Sequence, residues 1–139
     1  MKKADPLPRR VLVSAYACAP DRGAEPGVGW NLVAIMAGEY GYELTVITRT
    51  KHRAAIEVSE DPRVKNVRWI YADPPEWLSN KKRGAIGLKA FYLLWQRKMH
   101  EAALEHMRMH RVDLVHHLTF GSILPATILA DLGLPLVVG

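Results

Sequence analysis

Val11-Leu12-Val13-Ser14-Ala15-Tyr16 is a short apolar run between a polar, proline-containing lead-in over residues 1–9 and a loop over 17–25. A run this short, without alternation of apolar and polar residues, reads as a strand buried on both faces, as in a parallel sheet. After the loop, Pro26 stands where the first turn of a helix tolerates a missing N–H. Gly29, Leu32, Val33, Met36, Ala37 and Tyr40 then fall at offsets 0, 3, 4, 7, 8 and 11, one continuous helical stripe that ends near Gly41. The run and the stripe together form one strand–helix unit.

The alternation continues outward from that unit. Residues 43–48 read as a second strand with Arg49-Thr50 at its carboxyl end, followed by a short helix over 52–59 and a turn at Asp61-Pro62. Residues 66–71 form a third strand, and Asp73-Pro74-Pro75 breaks the chain. After an irregular stretch over 76–84, a long helix over 85–110 carries the apolar stripe Leu88, Phe91, Tyr92, Trp95, Met99, Ala102 and Ala103. A fourth strand over 113–117 ends in His116-His117, a helix covers 122–132 before Gly133, and a fifth strand covers 134–138. The pattern predicts an α/β fold: a doubly wound, Rossmann-like parallel sheet of five strands in three layers, order 3-2-1-4-5, with right-handed crossovers.

The length of 139 residues suits one domain, and 49% apolar with 24% charged residues places the chain among globular proteins. A net charge of +5 favours anionic partners without choosing among them. The basic residues are scattered among acids, which argues against nucleic-acid recognition. The single Cys18 excludes an internal disulfide, and a reducing, cytoplasmic compartment is the default. Basic residues before Val11–Ala19 imitate a secretion signal, but Pro6, Pro8, Ser14 and Pro20 are out of place in one. No stretch approaches the ~18 apolar residues of a membrane span.

Two segments carry the candidate chemistry. Gly23-Ala24-Glu25-Pro26-Gly27-Val28-Gly29-Trp30 leads into a helix N-terminus, where unpaired N–H groups suit phosphates and sugar hydroxyls. The competing reading is purely structural: the glycines permit a tight turn and close helix–sheet packing. A dinucleotide fingerprint fails, because Leu32 replaces the third glycine and no acid follows the second strand. The second segment is His116-His117. Successive strand side chains point to opposite faces, so one ring can enter a cleft while the other packs beneath a helix.

Weaker candidates complete the set. His106 and His110 have the i, i+4 spacing of metal ligands but no third partner in the sequence, so no metal is expected. Cys18 has no neighbouring histidine to activate it. Trp77, Leu78 and Lys81-Lys82-Arg83 offer a possible contact with an anionic membrane surface, against the plainer reading of a solvated loop.

Val13–Pro20, Gly23–Trp30, Tyr92–Arg97 and Asp113–Thr119, taken in order, resemble one branch of the family-4 retaining glycosyltransferases. The resemblance covers nearly the whole chain. It implies the N-terminal, acceptor-side half (residues 1–139) of a GT-B fold, whose sugar-nucleotide half, the C-terminal domain, is missing here. It implies transfer of a glycosyl unit from a nucleoside-diphosphate sugar, as donor substrate and not cofactor, to a glycan or lipid-linked acceptor. The family's first-loop glycines, which approach the donor phosphate, match Gly27 and Gly29, with Glu25 and Arg49 added as substrate-binding candidates. The family's histidine after the fourth strand falls on His116 or His117, with His117 favoured. The family often shows His-x-His, whereas here the histidines are adjacent and Leu118 follows. The site is expected at the cytoplasmic side of a cell, with peripheral contact at the inner membrane face, and the chain alone is expected not to turn over substrate. The alternative is a non-catalytic binding module or one subunit of a split enzyme.

Overall fold

The computed structural model describes residues 9–20, 24–75, 77, 84–118 and 132–138. Its elements are β1 (Arg10–Ala15), α1 (Ala24–Gly38), β2 (Glu43–Thr48), α2 (Arg53–Glu57), β3 (Arg68–Tyr71), α3 (Gly84–Met109), β4 (Leu114–Leu118) and β5 (Leu136–Val138). Single 3-10 turns at Thr50–His52 and Pro62–Val64 flank α2. The five strands form one sheet in the order β3-β2-β1-β4-β5, every pair parallel. The fold is the expected α/β, Rossmann-like arrangement with that strand order. The helix expected over 122–132 lies almost wholly outside the described residues, as do Leu78 and Lys81 to Arg83.

The centre of the sheet explains why β1 shows no alternation. Val11, Val13 and Ala15 pack on one face with Trp30, Val33, Ala34 and Met36 of α1. Leu12 packs on the other with Phe91, Tyr92, Trp95 and Met99 of α3. Both faces are therefore core, and an apolar side chain is wanted at every position. The β1-to-β2 and β3-to-β4 connections run in opposite directions along the sheet, so right-handed crossovers put α1 and α3 on opposite faces.

The helix stripes shift from their expected lines. On α1 the core contacts include Trp30 and Ala34, while Tyr40 is exposed. On α3 Leu88 is exposed, and Gln96 takes a buried position that the apolar pattern did not mark. Trp95 is fully buried, and its indole N–H donates to the Ala72 carbonyl at 2.8 Å, tying α3 to the end of β3. Gly41 follows α1 with a φ of 68°, a left-handed conformation that glycine adopts without Cβ strain.

Candidate functional site

The strands' carboxyl ends form the rim where open parallel sheets bind ligands, and the order reverses between β1 and β4. The register places Val13 beside His116 and Ser14 beside His117, so the loop leaving β1 and the histidine pair of β4 share this rim. The β1–α1 loop is pinned to α1, since the Ala19 amide donates to the Pro26 carbonyl at 3.0 Å. The side chain of Glu25 lies outside the described residues.

Gly29 is a contact point and not an open cradle. A Cβ built on it would stand 2.3 Å from the Ala17 carbonyl oxygen, so α1 reaches the loop only because position 29 has no side chain. The structural reading of the glycines therefore holds at Gly29. Gly29→Ala is expected to destabilise the fold by about 2 kcal/mol in urea unfolding, because overpacking outweighs the gain in helix propensity. Gly27, two residues earlier, lies at the edge of an open groove with partial exposure.

That groove encloses about 620 Å³ between α1, α2 and the turn that follows α2. Its polar lining includes Asn31, Ser59, Glu60, Asp61 and Arg63, with Gly27 and Trp30 on the α1 side. Trp30 stacks on Trp69 with centroids 5.6 Å apart and planes 5° from parallel. Its indole N–H donates to Asp61 at 3.3 Å. Hydrogen bonds from Arg63 chiefly, with one from Trp30, hold the Asp61 carboxyl down to about 2. The groove thus presents an ionised carboxylate, a guanidinium, an amide and a hydroxyl around an aromatic floor. Such a mixture suits a polyhydroxylated ligand. Sequence reasoning treated Asp61-Pro62 only as a turn and missed the groove; the signal was Asp61 followed by Pro62 and Arg63, a capped 3-10 start with a paired side chain.

The two histidines divide as strand geometry requires, one to each face of the sheet. His117 points to the α3 face, 2% exposed. Its Nε2 lies 3.0 Å from the Tyr92 hydroxyl and its Nδ1 3.1 Å from Ser14 Oγ. The neutral ring has one N–H and one lone pair, and the two hydroxyls satisfy both. Burial first, and the neighbouring His116 second, push the imidazole down to about 4. His117 is the ring packed beneath a helix. His116, on the α1 face with Leu114 and Leu118, is half-buried, and its Nε2 atom is buried.

Arg49 also turns inward. Its Nε donates to Asp73 at 3.2 Å and its Nη1 to the Tyr16 hydroxyl at 3.4 Å. The guanidinium stacks 5.1 Å from the Tyr16 ring centre and 4.7 Å from that of Phe91. Asp73 takes a second hydrogen bond from the Thr50 amide at 3.0 Å. Arg49 thereby locks the ends of β2 and β3 together beneath the rim. Asp73, its partner, was legible only as a break before two prolines.

Cys18 is fully buried, and burial pushes its thiol up to about 12. It is expected to resist thiol reagents in the native protein and to react on unfolding; rapid native labelling would contradict that. His106 and His110 stack on each other at the other end of the sheet, with centroids 4.6 Å apart. Trp77 is exposed. No helix among the described residues is long and apolar enough to cross a membrane.

No protein-family model and no curated protein matches this sequence. Among solved structures, the chain is similar to the crystal structure of the C-terminal domain of a hydrogenase from Pyrococcus furiosus. The two are 18% identical with a TM-score of 0.49, and the match covers 96% of this chain and 94% of that one.

Proposed function

We propose that the chain is the acceptor-side domain of a retaining glycosyltransferase. It would act with a sugar-nucleotide domain, as the N-terminal half of a GT-B pair, and work at the cytoplasmic side of the cell. The observation that supports this reading is the β1–β4 register, which brings the carboxyl end of β1, where the chain leaves toward Gly27 and Gly29, and the His116 end of β4 to one rim. These are the segments whose sequences resemble the family. The polar groove beside Gly27 adds a surface suited to hydroxyl-rich acceptors.

The domain's contribution is positioning. A glycan or lipid-linked acceptor would lie along the rim with a hydroxyl toward the donor's anomeric carbon, on the face from which the nucleoside diphosphate departs. The leaving phosphate takes that hydroxyl's proton, so no strong base is required of this domain. His116 would contact the transferred sugar, while the N–H groups near Gly27 face the diphosphate. His117 serves the site indirectly, by tying β4 to β1 through Ser14 and to α3 through Tyr92. Arg49 fixes the adjacent rim through Asp73.

Amide NMR of the chain titrated with oligosaccharides and with nucleoside-diphosphate sugars tests the assignment. Saccharides are expected to shift Gly27, Asn31 and His116, with weak effects from the nucleotide and no turnover. Absence of any saccharide response at that rim would overturn it.

The alternative, a non-catalytic binding module or one subunit of a split enzyme, draws on the burial of His117 and Arg49. That burial leaves positioning and not proton transfer as what the described rim supplies. Activity restored by adding a separately produced sugar-nucleotide domain would distinguish a split enzyme from a module.

A further inference from the structure

We propose a second site, independent of the glycosyl-transfer reading, at the amino ends of the strands: a pocket for a tetrahedral dianion of the phosphomonoester class. A groove of about 310 Å³ opens there, bounded by the starts of β1, β2 and β3, the last turn of α3 and the loop before β4. Arg10, Arg68 and Arg111 line it together with His106 and His110. Five cationic or proton-accepting side chains from four separate segments thus converge on one small volume.

Their existing contacts leave the site unfilled in charge. Arg10 and Arg111 bind Glu43 and Asp113 through Nε, at 3.2 and 2.9 Å, so those contacts do not use their terminal NH₂ edges. Arg68 has no carboxylate partner among the described residues; its Nη1 lies 3.4 Å from His110 Nε2, to which it donates. That bond requires an unprotonated His110 nitrogen. The two imidazoles lie nearly parallel, 17° apart. Burial, His110 and Arg68 all lower the His106 pKa. The charged groups facing the pair are Arg10 from β1, Glu43 from β2, Arg68 from β3 and Arg111 from the loop before β4. A dianion between Arg68 and the imidazoles would reverse the balance: it would accept from the guanidinium fork and make protonation of the histidines favourable. The C-terminal end of α3 also favours a protonated imidazole there. Anion binding and proton uptake are therefore coupled.

Sulfate is the probe, because its charge stays constant between pH 6 and 8. Titration at fixed ionic strength, with chloride as the balancing ion and histidine ring protons as the NMR readout, should give one saturable site. The His106 titration should move to higher pH with sulfate bound. Binding should weaken roughly fivefold from pH 6 to pH 8. Arg68→Gln should weaken it roughly tenfold, and Arg68→Lys less. Arg53→Gln, an exposed charge outside the groove, should change nothing. Glycerol phosphate and vesicles containing phosphatidic acid then separate a soluble phosphomonoester from a lipid headgroup, a response to either being consistent with the site. Sulfate effects no larger than those of chloride, or unchanged sulfate binding in Arg68→Gln, would overturn the proposal.

Discussion

Asp73→Ala is expected to cost the fold about 3 kcal/mol, more than its partly exposed position suggests. The cost arises at Arg49, which is 5% exposed and would keep its charge without a counterion. The rings of Tyr16 and Phe91 offset part of that loss through cation–π contact, which places the expected value at the low end for a broken buried pair. Arg49→Met combined with Asp73→Ala should recover much of the stability, because an apolar side chain fills the same volume with no charge to solvate. Urea unfolding of both single variants and the double variant gives the coupling energy directly. A double variant less stable than either single one would show that the pair acts through something other than mutual neutralisation.

The second large effect is a dependence of stability on pH that originates at His117. The folded-state pKa of about 4 lies below the ordinary value of 6.5. Between those values the unfolded chain binds the proton and the folded chain does not. Stability is therefore full above about pH 6.5 and falls as pH drops toward 4, by up to about 3 kcal/mol. His117→Gln should lower stability at pH 7 through imperfect replacement of the Ser14 and Tyr92 contacts, yet flatten the slope across that window. Wild type and variant compared by denaturant unfolding at pH 7, 5.5 and 4 isolate the contribution. Parallel slopes in the two proteins would assign the pH dependence to other groups.

The succession of strands and helices was readable from spacing because each strand is bounded by turn residues and separated from the next by helical periodicity; the order of the strands in the sheet came from the doubly wound pattern expected of such an alternation. The orientation of individual side chains was not. Every residue from Val11 to Ala15 is buried, so alternation along β1 carries no signal of which helix covers which face. Without that, the parity of His116 and His117 was undetermined, and the choice fell on the ring that α3 seals. The inward turn of Arg49 was equally hidden. A cation ending a strand looks like a ligand-binding group until Asp73, 24 residues later, is found beside it. Gly29 presented two meanings, and only the position of the Ala17 carbonyl selects close packing. The groove beside Gly27 joins residues from three local segments whose common feature is spatial and not periodic.

The central place of β1 also governs how the chain assembles. Its first neighbour, β2, is 33 residues away in register, whereas Ser14 meets His117 across 103 residues. During synthesis the β1–β2–β3 half can form early, while one edge of the innermost strand waits, its amides unpaired, for the final third of the chain. A nascent polypeptide paused before β4 would present that edge to its neighbours, and chaperone demand should peak in that interval.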